Sequence, residues 1–366
     1  MKHLTLAIFL CLAASQASAR RMYVSTAGTP YADGTSWNTS TSDLNAVLAQ
    51  SSAGDTVWVA VGTYYGGFLM PEGVTVMGGF LGNETDASQR SLPLFSTEQT
   101  VLSGKQQYRV LEQPKDYQTA TTWDGFVITQ GIGRQGAGVM LRRNGILRNC
   151  IVRDNTAGLP AVGEYLKDEA GILLFVNAST KKGVVMGLTD FGRHYQQARA
   201  KEAVKSCNDG GKSDWRLPTN SEMLYLTSAA NEGLYAFSST YYIIENALSQ
   251  NAGETLKGKH YWTSNTATES GNPVAYCLHT TNAQVGRMSV WGYQRIRPVR
   301  SVTLTATEGG GGIGGGVYAT DGSRLSGCLV NGNVAGDDED IHVEGDVQIQ
   351  DTDEETKVHF LAQTEP

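Results

Sequence analysis

A segment of 22 residues that occurs twice constrains this chain more than any other feature. Residues 136–157 read GAGVMLRRNGILRNCIVRDNTA, and residues 314–335 read GGGVYATDGSRLSGCLVNGNVA. An ungapped comparison finds 8 identical pairs: Gly136/Gly314, Gly138/Gly316, Val139/Val317, Leu147/Leu325, Cys150/Cys328, Val152/Val330, Asn155/Asn333 and Ala157/Ala335. Each copy has a Gly-rich turn, a short apolar strand, a polar turn, an alternating strand and an Asn turn, which is typical of one coil of a β-solenoid.

The residues between the two copies, 158–313, have a different pattern. We therefore predict one solenoid with a globular domain, called the insert below, placed between two neighbouring coils. This arrangement predicts that residues 20–157 form the first part of the solenoid with its N-terminal cap, and that residues 314–350 form its last coils. Residues 43–50 predict a short amphipathic capping helix, because an uncapped end coil would expose its core and a sheet edge.

The coil length can be measured inside the first part of the solenoid. DGFVITQG (124–131) aligns with NCIVRDN (149–155) at an offset of 24 residues, which places Phe126 over Cys150 and Ile128 over Val152. We therefore expect a coil of about two dozen residues in this region and six or seven coils in total.

Length and charge exclude some functions. A chain of 366 residues can form two domains that each bury a core. The chain has 43 Gly, only 18% charged residues and a net charge of −7. This composition fits a mostly β protein and argues against a nucleic-acid partner, which would require a basic surface.

Both ends of the chain are predicted to lie outside the folded domains. Lys2 precedes an apolar run over residues 4–14, and Ala17-Ser18-Ala19 has the small residues of a cleavage site. Because the run is too short to span a bilayer, we predict a signal peptide over residues 1–19 and no membrane span after its removal. The protein is then exported to the cell surface, the periplasm or the medium, in a Gram-negative bacterium. Residues 351–366 form an acidic C-terminal tail.

The four cysteines outside the signal segment allow two interpretations each. Cys150 and Cys328 occupy the same position in adjacent coils, so they are either stacked, buried thiols or a disulfide. Cys207 and Cys277 could pair within the insert or remain free. No CxxC motif or His/Cys cluster is present, and we predict neither a metal site nor a cofactor.

The N-terminal half of the solenoid resembles a known superfamily. Its Tyr23-Val24-Ser25, Gly34-Thr35-Ser36-Trp37, Leu44, Ala46 and residues 54–64 (GDTVWVAVGTY) resemble secreted bacterial right-handed parallel β-helix proteins of the pectate-lyase-like superfamily. The resemblance covers about 22–157 and 314–350. It implies a right-handed parallel β-helix, but no particular activity, because this superfamily includes lyases, hydrolases, adhesins and passenger domains.

The insert alternates strand and helix patterns. The predicted strands of the insert cover residues 171–179, 182–192, 260–264 and 275–278. Its predicted helices cover residues 195–207, about 220–230, and 242–250. Thr219 and Glu222 have the spacing of a capping box at the start of the second helix.

A second resemblance covers about residues 165–301. The matching positions are Trp215, Arg216, Leu217, Pro218, Thr219, Glu222, Leu226, Tyr261, Trp262, Ser264, Arg295, Arg297, Val299 and Arg300. They resemble the domain family named after the C-terminal domain of the Legionella collagen-like adhesin. This implies an α+β, C-type-lectin-like fold related to sulfatase-modifying-factor domains, in which Trp215, Trp262, Arg216 and Glu222 build the core. The adhesin's association with sulfated glycosaminoglycans suggests a glycan ligand, although the insert has no obvious basic stripe.

Two sets of residues are candidates for a binding or catalytic site. Exposed aromatic rings stack on sugars, with flanking polar groups that bind hydroxyls. The candidates in the insert are His279, Arg287, Trp291 and Tyr293, of which Trp291 and Tyr293 should share one side of a strand. These two rings could instead belong to the core. The second set is a basic patch, Arg142, Arg143, Arg148 and Arg153, which could bind an acidic sugar or simply form a solvated outer face.

Three functions remain open. The sequence favours an exported, non-catalytic binding or adhesion protein, in which the β-helix presents the lectin-like insert to a polysaccharide or cell-surface glycan. One alternative is a polysaccharide lyase or glycosidase that acts on an acidic polysaccharide through the basic patch. The other is a structural module of a surface assembly. Nothing in the sequence indicates the oligomeric state.

Overall fold

The computed structural model describes residues 19–229, 235–305, 312–338, 340–350 and 358–359. The predicted signal segment, apart from Ala19, and most of the acidic tail lie outside these residues.

Three parallel sheets stack their strands along one axis and form the solenoid. Sheet 1 contains, in spatial order, Arg21–Val24, Thr56–Ala60, Thr75–Phe80, Thr121–Asp124, Gly145–Arg148, Arg324–Ser326 and Gln348–Gln350. Sheet 2 contains Phe68–Leu69, Leu111–Glu112, Val139–Leu141, Val317–Thr320, Ile341–Glu344 and Val358–His359. Sheet 3 contains Gly62–Tyr65, Thr100–Ser103, Val127–Thr129, Ile151–Arg153 and Leu329–Asn331. A two-stranded sheet pairs Ile132–Gly133 with Thr156–Ala157. The predicted mostly β architecture with stacked parallel strands is confirmed.

Stacked apolar side chains explain why these strands pair in this register. Equivalent positions of successive strands in sheet 1 form one column: Met22, Val57, Val76, Trp123, Leu147, Leu325 and Ile349. The column belongs to a single apolar core enclosed by the three sheets. A shift of one residue would turn each apolar side chain outward, so burial fixes the register.

The repeated segment forms two neighbouring coils, as the sequence predicts. Val139 lies beside Val317, Leu147 beside Leu325, and Val152 beside Val330, which is one pair in each of the three sheets. The 24-residue offset is also confirmed, because Ile128 pairs with Val152.

Two polar or thiol pairs also stack between these coils. The side-chain amide of Asn155 donates to Asn333 Oδ1 at 2.9 Å, so the repeated Asn turns bond to each other. Cys150 and Cys328 are buried in the core as free thiols. Cys207 and Cys277 are also free and buried, in the core of the insert.

The N-terminal cap contains helix α1, Leu44–Gln50, as predicted. Asp43 Oδ1 accepts a hydrogen bond from the backbone amide of Ala46 at 2.9 Å, which satisfies one of the unpaired amides at the start of the helix. Leu44, Val47 and Leu48 face the solenoid core and cover its first coil.

The insert is an α+β unit with antiparallel sheets. Its strands are Tyr165–Leu166, Gly171–Asn177, Lys182–Gly187 and Val299–Thr303 in one sheet, His260–Glu269, Asn272–His279 and Gln284–Ser289 in a second, and Thr227–Ala229 with Tyr235–Phe237 in a third. Its helices are α2, Gln197–Ala203, α3, Asn220–Leu224, and α4, Ser239–Gln250. Short 3-10 turns cover Lys167–Glu169, Val204–Ser206 and Asp209–Gly211 in the insert, and Trp37–Thr39 and Ala87–Gln89 in the first part of the solenoid.

Helix α3 is shorter than predicted. The capping box between Thr219 and Glu222 is present, but the helix ends at Leu224 and the chain re-enters a strand at Thr227. Pairing of Thr227–Ala229 with Tyr235–Phe237 therefore replaces the expected second half of the helix. The first helix of the insert, α2, is also shorter than predicted, because its last turn tightens into the 3-10 turn Val204–Ser206.

Helix α4 attaches the insert to the side of the solenoid. The hydroxyl groups of Tyr108 and Thr240 lie 2.7 Å apart, and the Gln250 side chain donates to Pro114 O at 3.1 Å. The buried Ile243 side chain lies against Gly67 of the solenoid. These contacts at both ends and the middle of the helix hold the insert in a fixed position.

Gly66 allows the close approach of α4, and we predict that replacing it loosens this attachment. Gly66 has φ +130°, and a Cβ there would overlap the Ser239 hydroxyl at the start of the helix. Gly82 has φ +100°, but a Cβ there would have no atom within 4 Å, so Gly82→Ala adds backbone strain alone. We expect Gly66→Ala to cost about 1–3 kcal/mol more than Gly82→Ala, measured by hydrogen exchange of the α4 amides. Equal costs would contradict the close packing.

Candidate functional site

Two large aromatic rings project from a turn at the end of the insert's second sheet. Trp291 is 70% exposed and Tyr293 is 59% exposed. The other five tryptophans of the chain are buried or half-buried. We call residues 290–293 the aromatic turn.

The aromatic turn is not a strand, which corrects the sequence prediction. The strand Gln284–Ser289 ends at Ser289, whose carbonyl accepts from the Gly292 amide at 2.9 Å and whose hydroxyl accepts from the Trp291 amide at 3.3 Å. Val290 packs against the insert core, while Trp291 and Tyr293 extend into solvent. The turn therefore has the exposed rings that a sugar-stacking surface requires.

The aromatic turn lies far from the N-terminal cap. Residues 281–284, at the start of the last hairpin strand, face the cap across a cleft. The six-residue strand Gln284–Ser289 then extends about 17–20 Å before the turn begins. The rings therefore lie at the end of this strand opposite to the residues that line the cleft.

Arg287 is near the aromatic turn, and its charge is already paired. It lies in the last hairpin strand opposite Tyr276, with its guanidinium 6.0 Å from the centre of the Tyr276 ring. Its Nη1 is 3.1 Å from Glu269 Oε1, and both side chains are about half exposed. An acidic ligand would have to compete with Glu269 for this arginine.

His279 is not part of the same surface. It pairs with Gln284, the first residue of the last hairpin strand, and therefore lies at the end opposite the aromatic turn. Strand alternation also directs it to the face opposite Arg287. Its ring centroid is 4.4 Å from that of His260, and burial together with the neighbouring imidazole lowers the pKa of His279. Both effects disfavour the charged form of His279.

The four arginines of the proposed basic patch are distributed over three sheets. Arg148 lies in sheet 1, Arg153 in sheet 3, and Arg142 and Arg143 directly follow a strand of sheet 2. Their partners are Asp124 for Arg148 at 2.8 Å, Asp154 for Arg153 at 3.9 Å, Gln113 O for Arg142 at 3.2 Å and Asp321 for Arg143 at 3.1 Å. The structure does not bring these side chains to one face.

Sequence reasoning missed a cleft between the N-terminal cap and the insert. Its volume is about 1020 Å³, and its walls come from residues 20–50 and from residues 236–284. No local pattern indicates such a site, because its two walls are almost two hundred residues apart and meet only through the attachment of α4.

The described part of the chain has neither a cluster of metal-ligating side chains nor a helix suited to span a membrane. No group of three or more His, Cys, Asp or Glu side chains there is arranged to hold a metal ion. None of the helices described combines the length and the apolar character that crossing a bilayer requires.

One part of the chain is similar to a known family. Residues 168–300 match the family described as Lcl C-terminal domain. The match covers the insert, where the second resemblance was predicted, and leaves both parts of the solenoid outside. No curated protein matches the chain.

Proposed function

We propose that this protein is an exported, non-catalytic binding protein whose β-helix holds the insert and presents the aromatic turn to a polysaccharide or cell-surface glycan. The observation that carries the proposal is the exposure of Trp291 and Tyr293 within one short turn. An indole and a phenol ring in solvent offer flat apolar faces to sugar rings and polar edges to their hydroxyl groups.

The rest of the molecule supports a presenting role. Residues 168–300 match the Lcl C-terminal domain family, the family that the sequence resemblance links to an adhesin, and the apolar motif residues of the insert lie in its own core. Trp215 and Trp262 are buried, and Arg216 forms an ion pair with Glu222 at 2.6 Å. The stacked sheets provide a rigid scaffold of the kind implied by the resemblance to pectate-lyase-like β-helices.

The ring surface favours neutral sugars over strongly acidic ones. Arg287 is the candidate cation beside the turn, and Glu269 already neutralises it. Stacking on Trp291 and Tyr293 needs no charge on the ligand. Glycans rich in hexose or N-acetylhexosamine rings therefore fit this surface best.

The proposal is tested by glycan-array binding followed by titration of the best glycan, using the chain from Arg20 onward. We expect Trp291→Ala and Tyr293→Ala each to weaken binding about tenfold, because each removes a stacking surface worth about 1–1.5 kcal/mol. Phe95→Ala is the matched control, since Phe95 is an 85% exposed ring on the solenoid. Absence of glycan binding, or binding that survives both changes in the aromatic turn, would refute the proposal.

The same preparation tests the lyase alternative. Incubation with uronate polysaccharides should give no unsaturated products, because the four arginines that such chemistry would use lie on different sheets. Turnover that is lost in Arg142→Ala or Arg153→Ala would overturn the non-catalytic assignment.

A further inference from the structure

The cleft between the N-terminal cap and the insert has the size of a ligand site. Its volume of about 1020 Å³ matches the upper end of the range of about 300–1,000 Å³ that is usual for small-molecule pockets. One wall is formed by the start of sheet 1, the loop 30–35 and helix α1, and the other by Phe237, Tyr242 and residues 281–284. The site exists only because the insert is attached beside the cap.

Aromatic rings contribute to both walls. Tyr31, on the cap side, is 52% exposed. On the insert side, Phe237 and Tyr242 are half-buried, with ring centroids 6.5 Å apart and planes at 82°. Rings on opposite walls can contact the apolar faces of a flat, ring-shaped ligand that lies between them.

The polar groups of the cleft suit hydroxyl groups. Gln50 on one wall, and Asn282 and Gln284 on the other, each carry an amide that can both donate and accept hydrogen bonds. The Asn282 amide donates to Gln284 Oε1 at 3.3 Å, which leaves the remaining hydrogen-bonding positions of this pair for a ligand. Pairs of neighbouring hydroxyl groups on a sugar have the same dual character. Asp43 adds a carboxylate, and burial raises the pKa of this group because water is partly excluded from it.

The charges of the cleft are balanced, and its cations are already engaged. Arg20 is paired with Asp55 at 2.7 Å, and the Arg21 guanidinium lies 4.1 Å from the centre of the Trp58 ring. Among the lining residues, Asp33 and Asp43 equal these two arginines in number. Among the described residues that line the cleft, an acidic ligand therefore meets two arginines that already have partners and two carboxylates of like charge.

We infer that the cleft between the cap and the insert is a binding site for a neutral oligosaccharide, held between the rings of Tyr31 and Tyr242 and hydrogen-bonded by Gln50, Asn282 and Gln284. This site is separate from the aromatic turn and does not depend on it. A ligand in the cleft contacts the solenoid and the insert together, so its binding also strengthens their attachment.

Titration of the chain from Arg20 onward with neutral hexose and N-acetylhexosamine oligosaccharides tests the inference. We expect Tyr31→Ala and Asn282→Ala, one change on each wall, to weaken binding of the oligosaccharide about tenfold. Phe95→Ala is the matched control, because it removes an exposed ring of the solenoid that belongs neither to the cleft nor to the aromatic turn. Thr35→Trp, which adds bulk at an exposed position of the cleft, should block the same binding.

The outcomes separate the two proposed sites. Binding that is weakened in the three cleft variants and kept in Phe95→Ala supports the cleft site, whatever the result for the aromatic-turn variants. Binding that depends on Tyr293 and is unchanged in the cleft variants would overturn the inference and leave the proposed function intact. The inference would also be overturned if no neutral oligosaccharide bound. The same holds if the cleft variants weakened the binding of acidic glycans or peptides alone.

Discussion

Replacing Asp124 by Ala should destabilise the solenoid by about 3–5 kcal/mol, because it removes the carboxylate from a buried cluster of charges. Asp124 is 1% exposed and is held by Arg90 at 2.8 Å, Arg148 at 2.8 Å and the Asn149 amide at 2.9 Å. Without it, the mostly buried Arg90 guanidinium keeps its charge and loses its ion-pair partner. Hydrogen exchange of the sheet 1 amides measures the loss.

Asp154→Ala is the control for this prediction. Asp154 follows a strand of sheet 3 in the solenoid, but it is 66% exposed and 3.9 Å from Arg153. An exposed pair of this kind contributes about 0–1 kcal/mol, so the control should leave the same amides nearly as protected as in the unaltered protein. Similar losses in both variants would show that Asp124 is not a structural carboxylate.

Replacing Arg297 by Met should destabilise the insert by a similar amount, about 3–5 kcal/mol. The Arg297 side chain is fully buried, and its Nη2 lies 2.7 Å from Asp190 Oδ1. It also donates to the carbonyl groups of Leu188 at 2.7 Å and Glu254 at 2.9 Å. Methionine fills much of the volume but removes a buried donor from each of these acceptors. Asp190 keeps Lys259 and Arg295, and Leu188 O keeps the Glu254 amide, whereas the Glu254 carbonyl loses its Arg297 donor.

Arg287→Met is the matched control in the same domain. Arg287 is also paired with a carboxylate, Glu269, but its side chain is 53% exposed. Water replaces the lost partner there, and we expect a change below about 1 kcal/mol. Exchange of the amides in strand Val299–Thr303 reports both variants. Equal sensitivity at the two arginines would contradict the assignment of Arg297 to the core.

Strand pairing in the solenoid could be predicted because the sequence pattern of one coil occurs again in the neighbouring coil. The identical positions of residues 136–157 and 314–335 differ by one constant offset, and the structure pairs the strands at that offset in all three sheets. An apolar side chain in one coil requires a similar side chain in the next, since the core is a stack of equivalent positions. Local signals were also sufficient for the helix predicted over residues 43–50 and for the capping box of Thr219 and Glu222.

The candidate sites were harder to predict because they depend on contacts between distant segments. Strand alternation alone could not show that the chain turns at Ser289, or that Trp291 and Tyr293 leave the core. The four arginines appear close together in sequence, yet a coil of three sheets directs them to different sides. The cleft at the cap arises from the attachment of α4, for which no repeat or motif exists.

The central claim, that residues 136–157 and 314–335 are adjacent coils on either side of an inserted domain, has a direct test. Arg153 and Asn331 are neighbours in sheet 3, although 178 residues separate them, whereas Arg148 lies in sheet 1. A short thiol-specific cross-linker, read by mass spectrometry, should join the pair Arg153→Cys and Asn331→Cys nearly completely, because neighbouring strands lie about 4.8 Å apart. The pair Arg148→Cys and Asn331→Cys should remain unlinked. Absence of the first cross-link, or equal linking of both pairs, would contradict the account.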